Sequence, residues 1–290
     1  MRTLAVLVLA VALPALAGPP GQAPADRKDW LQLFNGKNLD GWVPKFKGSP
    51  LGENYAETFR VVDGVLQVSY DKYGRFEDRF GHLFYERRKF SHYIIAAEYR
   101  FIGDQVAGGP DWAIRNNGLM LHSQSPQSMT KDQDFPISIE MQLLGGLPNG
   151  KPRSTANVCT PGTQIFGVNN PGGPMVKGHC TNSKSETYRG DVWVRVEVEV
   201  RGGDRITHKV EGQTVLEYEK PTIGGGEVNA FDPAVKIDGT LLTEGYVTIQ
   251  AESHPTEFRK IEVLSLAGCM DAKSKSFKSY YTHNDPSDCR

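Results

Sequence analysis

The residues best suited to acid–base chemistry lie in segment 136–144, PISIEMQLL. Since side chains alternate across a β-strand, this pattern predicts one apolar face and one polar face, the latter carrying Glu140 and Gln142. A carboxylate can transfer a proton during a reaction, and a carboxylate next to an amide can also bind sugar hydroxyls. The alternative is an ordinary strand face turned towards solvent.

A second segment, 112–122, contains a histidine that could take part in such chemistry. Asn116, Asn117 and Gly118 predict a turn, and the strand that follows would place His122 on its more polar face. The ordinary pKa of histidine is about 6.5, so His122 could exchange a proton near neutral pH. A lone histidine can equally have a structural role.

A third segment, 249–261, supplies a second carboxylate. Gln250 and Glu252 share a face at the end of a predicted strand, and Glu252 could form an acid–base pair with Glu140. Alternatively, Glu252 and His254 only close a hairpin. Trp42, Trp112 and Trp193 could stack on sugar rings or belong to the core.

The elements that must position these residues are short strands. Segment 59–68 predicts a hairpin with a turn at Asp63-Gly64, and segment 192–200 alternates valine with polar residues. Segment 205–218 predicts another hairpin, with its turn at Glu211-Gly212. Many strands separated by Gly, Pro and Asn clusters, with only short helical turns, indicate an all-β sandwich or jelly roll.

Three stretches have the composition of loops: 45–58, 123–134 and 147–188. The last is long for a compact domain, so a functional role or a covalent constraint is expected there. Four cysteines follow a predicted secretion signal, which indicates two disulfides. Of the three possible pairings we favour Cys159–Cys180 and Cys269–Cys289, the pairs nearest in sequence. A zinc site of four cysteines would need closer ligand pairs.

The N-terminus is typical of an exported protein. Arg2 precedes about ten apolar residues, and Ala15-Leu16-Ala17 has the small residues of a cleavage site. We therefore predict a signal peptide at 1–17, a linker at 18–29, one domain at 30–268, and a C-terminal tail at 269–290 held by the second disulfide. The mature protein is then expected in the periplasm or outside the cell, without a membrane anchor.

Charge and motifs exclude several classes of function. The formal net charge is −1, from 33 Lys and Arg against 34 Asp and Glu, and basic residues form no stripe, which argues against nucleic acid binding. The chain contains no Gly-rich phosphate loop, H-E-x-x-H or G-x-S-x-G motif. Nucleotide chemistry, zinc proteolysis and α/β-hydrolase catalysis are therefore unsupported.

Segment 33–42, LFNGKNLDGW, resembles the opening signature of the 3-keto-disaccharide hydrolase family, and shorter matches follow in order over roughly 30–266. They lie at 62–66, 116–122, 139–142, 190–193, 206–212, 250–253 and 257–261. The resemblance implies a concanavalin A-like jelly-roll sandwich of two antiparallel sheets. It also implies cleavage of glycosides that carry a ketone at sugar C3, by elimination followed by hydration.

The resemblance also suggests roles for individual residues. Glu140 and Gln142 match the strand pair of the family, Asn116 its asparagine, and Glu252 a late acidic or histidine position. We predict Glu140 as the catalytic base or a metal ligand, with His122 or Glu252 as its catalytic partner. The predicted substrate-binding residues are Asn116, Asn117, Gln142 and Gln250.

Departures from the family pattern leave alternatives open. His122 stands where the family usually has Arg, Glu211 where it has Asn, and Lys260 where it has Asn. No cofactor is assigned, although a divalent cation at the enolate oxygen is conceivable. The substrate is expected to be a saccharide or glycoside.

Two other functions are compatible with the sequence. One is a non-catalytic, lectin-like carbohydrate-binding module, since the same fold binds sugars without cleaving them. The other is a laminarinase-like glucanase. That class resembles E-x-D-x-x-E on one strand, whereas Gln142 and Gly145 here replace the second and third carboxylates.

Overall fold

The computed structural model describes residues 25–290 and is built almost entirely of β-strands. The predicted signal peptide, 1–17, and the linker residues 18–24 lie outside the described residues. In the described part of the chain, no helix is long and apolar enough to cross a bilayer.

The described residues form eighteen strands and five short 3₁₀ helices. The strands are β1 (Trp30–Gln32), β2 (Trp42–Phe46), β3 (Phe59–Val62), β4 (Val65–Val68), β5 (Gly81–Phe90), β6 (His92–Phe101), β7 (Asn116–Ser123), β8 (Ile139–Leu144), β9 (Asn157–Cys159), β10 (Thr163–Phe166), β11 (Cys180–Thr181), β12 (Val194–Arg201), β13 (Arg205–Val210), β14 (Gln213–Ile223), β15 (Gly245–Ala251), β16 (Thr256–Ser265), β17 (Ala267–Gly268) and β18 (His283–Asn284). The 3₁₀ helices are Arg27–Asp29, Tyr55–Glu57, Asp111–Ala113, Pro126–Ser128 and Pro286–Asp288.

Two large antiparallel sheets make up the sandwich. Sheet I has the order β10-β14-β13-β12-β6-β16-β4-β3, with β1 also paired to β16, and sheet II has the order β11-β9-β8-β7-β15-β5-β2. The predicted all-β, concanavalin A-like jelly roll is thus confirmed. In the tail, β17 and β18 form a small parallel pair.

The core lies between the two sheets. Val194, Val196, Val198 and Val200 of β12 are all buried, as their alternation predicts, while the residues between them are partly exposed. Fully burying a valine-sized side chain stabilises the fold by roughly 1.5–3 kcal/mol. From sheet II, β8 contributes Ile139, Met141 and Leu143 to the same core.

The predicted hairpins form at the predicted turns. Asp63 and Gly64 join β3 to β4 with φ of 50° and 78°, as a type I′ turn requires. Glu211 and Gly212 join β13 to β14 with similar φ values.

Two expectations about loops were wrong. Asn116, Asn117 and Gly118 do not turn but begin β7, which pairs with β8 and β15 in the middle of sheet II. The polar Asn117 side chain is accommodated there because it bonds to backbone groups of its own strand and of β15. Segment 147–188 also holds the short strands β9, β10 and β11, because its backbone groups pair with β8 and β14.

Candidate active site

One face of sheet II packs on the core, and the opposite face carries the candidate site. Glu140 and Gln142 point to this opposite face, because their β8 neighbours belong to the core. Across β7 they lie opposite Met120 and Gly118, and across β9 opposite Cys159 and Asn157. Cross-strand partners share a face, so these strands build the floor of one pocket.

The pocket has a volume of about 370 Å³, within the range of small-molecule sites. It is lined by Trp112, Asn116, Phe135, Glu140, Gln142, Cys159, Pro161, His179, Cys180, Glu227 and Glu252. Four of the predicted site residues, Asn116, Glu140, Gln142 and Glu252, are therefore brought together although they are far apart in sequence.

Two buried carboxyls give the pocket its acid–base character. Glu140 is 5% exposed and Glu252 is 3% exposed. Burial raises the pKa of Glu140 to about 8. Burial also raises the pKa of Glu252 well above its ordinary range, and repulsion from Glu140 raises it further. Two such carboxyls near neutral pH hold at least one proton between them.

Gly118 lets Gln250 approach Glu140. An added Cβ at Gly118 would collide with Oε1 of Gln250 and lie 2.7 Å from Oε1 of Glu140. The amide of Gln250 lowers the pKa of Glu140, although less than burial raises it. Gln250 is fully buried beside His82 of β5, its cross-strand partner.

Several buried polar atoms around the pocket have no hydrogen-bond partner among the described residues. They are Oδ1 of Asn116, Oε2 of Glu252, Nδ1 of His179, and both side-chain polar atoms of Gln250. The Gln250 amide thus acts on Glu140 through its proximity, without a well-formed hydrogen bond between them. Native proteins satisfy most buried polar atoms, so such a group is a candidate for binding a ligand or ordered water.

The opposite wall holds Gln142 in place. Nδ2 of Asn157 donates to Oε1 of Gln142 over 3.1 Å, and Oδ1 of Asn157 accepts from Ser183 N and Ser154 Oγ. This orientation leaves the amide NH₂ of Gln142 available to a ligand.

The family of the chain follows from a match over most of its length. Residues 29–264 match the model of the 3-keto-alpha-glucoside-1,2-lyase-like domain. The chain belongs to this family. It is a carbohydrate-active, glycosidase-like family, as the sequence resemblance predicts.

Solved structures with a similar architecture are distant in sequence. A protein of Parabacteroides distasonis, titled as a candidate glycosyl hydrolase, is 16% identical, with 81% of this chain and 98% of that chain covered and a TM-score of 0.47. A β-glucanase of Bacillus licheniformis is 9% identical, with 81% and 97% covered and a TM-score of 0.44. A carbohydrate-binding module of Bacillus subtilis is 11% identical, with 78% and 96% covered and a TM-score of 0.38. No curated protein sequence matches the chain significantly.

In this member of the 3-keto-alpha-glucoside-1,2-lyase-like family, two predicted site residues lie away from the pocket. The strand register shifts at the end of β7, so Leu121 and His122 together oppose Val247. His122 adopts φ of 49°, and its Nε2 bonds to the carbonyl oxygen of Gly202 over 3.0 Å. The bulge turns His122 away from Glu140, and burial lowers its pKa to about 4.

Asn117 has a structural position. Its side chain lies on the core side of β7, where Nδ2 donates to the Gln250 carbonyl and Oδ1 accepts from Gly118 N. Both functional ends of the amide are thus used within the sheet.

The other lining residues come from loops and, for Trp112, from the 3₁₀ helix Asp111–Ala113. Trp112 is 53% exposed, and its ring stacks on Phe80 with centroids 6.0 Å apart. Trp42 instead lies in the core, and the ring of Trp193 contacts the guanidinium groups of Arg100 and Arg259, each 4.6 Å from the ring centroid. Sequence reasoning missed the lining residues Phe135, His179 and Glu227, because nothing in their local pattern indicates where their loops fold.

Both predicted disulfides form, between Cys159 and Cys180 and between Cys269 and Cys289. The first lies in the pocket wall, where Cys159 and Cys180 are direct partners of β9 and β11. His179 lies close to these sulfur atoms. Metal binding by cysteine requires a thiolate, so the disulfide removes both sulfurs as ligands.

Proposed function

We propose that this protein cleaves the glycosidic bond of a 3-keto-glycoside by acid–base elimination and then hydrates the product. The observation that carries the proposal is the buried pair of Glu140 and Glu252, with raised pKa values, in one pocket with exposed Trp112 at its side. A buried carboxyl that keeps its proton near neutral pH can act as an acid, and an ionised neighbour as a base.

The electrostatics favour different roles for the two carboxyls. The Gln250 amide lowers the pKa of Glu140, whereas repulsion from Glu140 raises that of Glu252. Glu140 is therefore assigned as the ionised base and Glu252 as the protonated acid.

The keto group at C3 acidifies the proton on C2. Glu140 takes this proton, and the electron pair of the C–H bond forms the enolate. The enolate expels the glycosidic oxygen from C1 as the C1–C2 double bond forms, and Glu252 gives its proton to the leaving oxygen. Each acid or base group contributes roughly 10²–10⁴-fold to the rate of such a reaction.

Hydration then uses the same groups in reverse. Glu252, now ionised, takes a proton from water as the water oxygen adds to C1, and Glu140 returns its proton to C2. One water molecule is consumed, the glycosidic bond is hydrolysed, and both carboxyls regain their starting states.

The enolate oxygen needs a donor or a positive charge. The amide Nε2 of Gln250 is the candidate donor, since it is buried without a partner among the described residues, whereas the unpartnered atom of Asn116, Oδ1, can only accept. Carboxylate and amide oxygens are also ligands that Mg²⁺ and Ca²⁺ prefer, so a divalent cation at these residues would supply the positive charge.

The disulfides also support an oxidising compartment. Together with the predicted signal peptide, they favour a periplasmic or extracellular location for the proposed reaction.

The test is sugar release from 3-keto-trehalose and from unmodified trehalose, with and without a chelator. We expect cleavage of the keto sugar alone, and deuterium at C2 of the product when the reaction runs in D₂O. Glu140→Gln and Glu252→Gln should each lower turnover by about 100-fold or more. Glu197→Gln is the matched control, because Glu197 lies on β12 of sheet I.

Other outcomes would select another function. Binding of both sugars without cleavage of either would indicate a carbohydrate-binding module. Equal cleavage of both sugars, without deuterium at C2, would indicate an ordinary glycosidase. Loss of activity on chelation would add a cation to the proposal.

A further inference from the structure

A row of buried polar side chains crosses sheet II beneath the candidate active site, and we call it the His82 row. It consists of Lys45 on β2, His82 on β5 and Gln250 on β15. Lys45 and Gln250 are each a direct cross-strand partner of His82. Such partners project from the same face of a sheet, with Cβ atoms about 4.5–5.5 Å apart. The row therefore leads from the edge strand β2 to Gln250, which lies beside Glu140.

The His82 row lies below the surface of the pocket. None of its three residues is more than 2% exposed. Segment 131–135 covers it. Nζ of Lys45 donates to the carbonyl oxygen of Lys131 over 2.9 Å, and the ring of Phe135, which lines the pocket, has its centroid 5.7 Å from that of His82. His82 can therefore act on a substrate only through another side chain.

The polar atoms of His82 and Gln250 are unused. Both ring nitrogens of His82, and Nε2 and Oε1 of Gln250, have no hydrogen-bond partner among residues 25–290. Four such atoms on two neighbouring residues need an explanation, because native proteins satisfy most buried polar atoms. A neutral imidazole and an amide each offer a donor and an acceptor, so the two side chains can satisfy each other directly or through one water.

Lys45 helps to keep the imidazole neutral and gives it a direction. Burial, and then repulsion from Lys45, lower the pKa of His82 to about 3. Burial lowers the pKa of Lys45 to about 8, while attraction by Asp132 opposes this shift and repulsion from Lys131 adds to it. Two of its three Nζ hydrogens bond to the carbonyls of Phe46 and Lys131. The third is available to one ring nitrogen of His82, and the other nitrogen then carries the hydrogen and donates.

The orientation of the Gln250 amide decides what it offers to a ligand. Its Oε1 lies on the Gly118 side without a partner, so no hydrogen bond holds the amide in this orientation. Turning the amide over exchanges two atoms of similar size and needs no additional space. Only Nε2 can donate to Glu140 or to an enolate oxygen.

We propose that His82, supported by Lys45, is a positioning residue that binds Oε1 of Gln250 and so directs Nε2 towards Glu140 and the substrate. This inference rests on the proposed function, in which Nε2 donates to the enolate oxygen. Hydrogen bonds in series polarise one another in a medium of low dielectric constant, so the charge of Lys45 strengthens the donor at the far end of the row.

The test compares His82→Phe, which keeps a ring without polar atoms, with His82→Gln, which restores a donor and an acceptor. With 3-keto-trehalose as substrate, His82→Phe should lower kcat about tenfold and change KM little, because the enolate forms only during the reaction. His82→Gln should retain most of the turnover.

A second readout follows the ionisation of Glu140 directly. Carbon-13 NMR of the glutamate carboxyls, with Glu140 assigned from Glu140→Gln, measures its pKa. A directed Nε2–H favours the ionised carboxylate, so the pKa of Glu140 should rise in His82→Phe and stay near the wild-type value in His82→Gln. The acidic limb of the kcat/KM profile should move to higher pH in His82→Phe alone.

Two lysine variants complete the design. Lys45→Met keeps most of the apolar stem and removes the charge and the donor, so it should change kcat and the pKa of Glu140 in the same directions as His82→Phe. It decides the question if His82→Phe does not fold. Lys89→Met is the matched control, because Lys89 lies on the same strand as His82 but is exposed and paired with Glu244. It should change neither quantity.

Unchanged kcat and an unchanged pKa of Glu140 in His82→Phe or Lys45→Met would overturn the inference. Equal losses in His82→Gln and His82→Phe would also overturn it, since the ring would then act by packing alone. Failure of the proposed function gives a different result. In that case wild-type protein does not cleave the keto sugar, while the NMR titration of Glu140 still supports or refutes the role of His82.

Discussion

Gly118 has a role that depends on its missing side chain. Gln250 reaches Glu140 only because no Cβ stands between them. The φ of Gly118 is not in the left-handed region, so alanine fits the backbone there and its effect is confined to the side chains. We expect Gly118→Ala to separate Gln250 from Glu140 and lower kcat/KM about tenfold or more, as the loss of one well-placed interaction predicts.

Turnover of the keto sugar measures this effect, and circular dichroism checks the fold. Gly74→Ala is the matched control, because a Cβ there meets nothing within 4 Å and its φ is also ordinary. Unchanged kcat/KM in Gly118→Ala would mean that the contact between Gln250 and Glu140 has no part in the reaction.

The pH dependence of the reaction follows from the same carboxyls. If ionised Glu140 is the base, kcat/KM rises with pH through a pKa of about 8 and falls at higher pH as Glu252 loses its proton. The optimum is therefore alkaline. A pH–rate profile with the acidic limb near the ordinary glutamate value of about 4.3 would contradict this assignment.

Strand alternation was enough to predict the side on which Glu140 and Gln142 lie. The same rule failed for His122, because the bulge at Leu121 and His122 reverses the direction of the side chain. Whether a strand contains a bulge depends on its neighbours in the sheet, which a single sequence does not show.

At the scale of elements, the first disulfide ties β11 to β9 within the pocket wall. The second disulfide closes a loop of similar size in the tail: the sequence separations are 21 and 20 residues. Each should contribute about 3 kcal/mol to the free energy of unfolding by restricting the unfolded chain. Only the first contacts the candidate site.

This pair allows stability to be separated from function. Cys159→Ala with Cys180→Ala and Cys269→Ala with Cys289→Ala should lower the free energy of unfolding by similar amounts. Only the first pair should raise KM for the keto sugar, since it frees His179 in the pocket wall. Denaturation and steady-state kinetics measure both effects, and an equal change in KM in both proteins would refute a specific role for Cys159–Cys180.

Regular strands were predictable and irregular ones were not. The β12 pattern of valines and polar residues predicts its own two faces, because one face meets the core along the whole strand. By contrast, β9 and β11 have two or three residues each and exist because β8 and the disulfide hold them. Their short sequences carry no periodicity to detect.

At the scale of the whole molecule, the jelly roll buries both histidines and carboxyl groups, and burial shifts their pKa values in opposite directions. Burial lowers the pKa of His82 to about 3 and those of His122, His208 and His254 to about 4. Because the pKa in the unfolded chain is about 6.5, these residues stabilise the fold above pH 6.5 and lose that contribution as the pH falls towards 4. Glu140 and Glu252 act in the opposite direction. Their raised pKa values stabilise the fold below about pH 4.5. The contribution of Glu140 is lost as the pH rises to about 8, and that of Glu252 is lost as the pH rises through its own raised pKa.

These opposing groups predict a maximum of stability near neutral pH. Between pH 4.5 and 6.5 the unfolded chain takes up protons on four histidines while the folded protein keeps protons on two carboxyls, so stability rises with pH. Above pH 6.5 only the carboxyl contribution remains, so stability falls towards pH 8. Urea denaturation at half-unit pH steps measures the free energy of unfolding on the acidic and alkaline limbs of this profile, and the slopes of the two limbs identify the groups.

His122→Phe should flatten the acidic limb and Glu140→Gln the alkaline one, whereas His283→Phe should change neither. Since the same carboxyl pair is assigned to catalysis, an alkaline limb that becomes flatter in Glu140→Gln would show that the protein gives up stability to keep this pair buried.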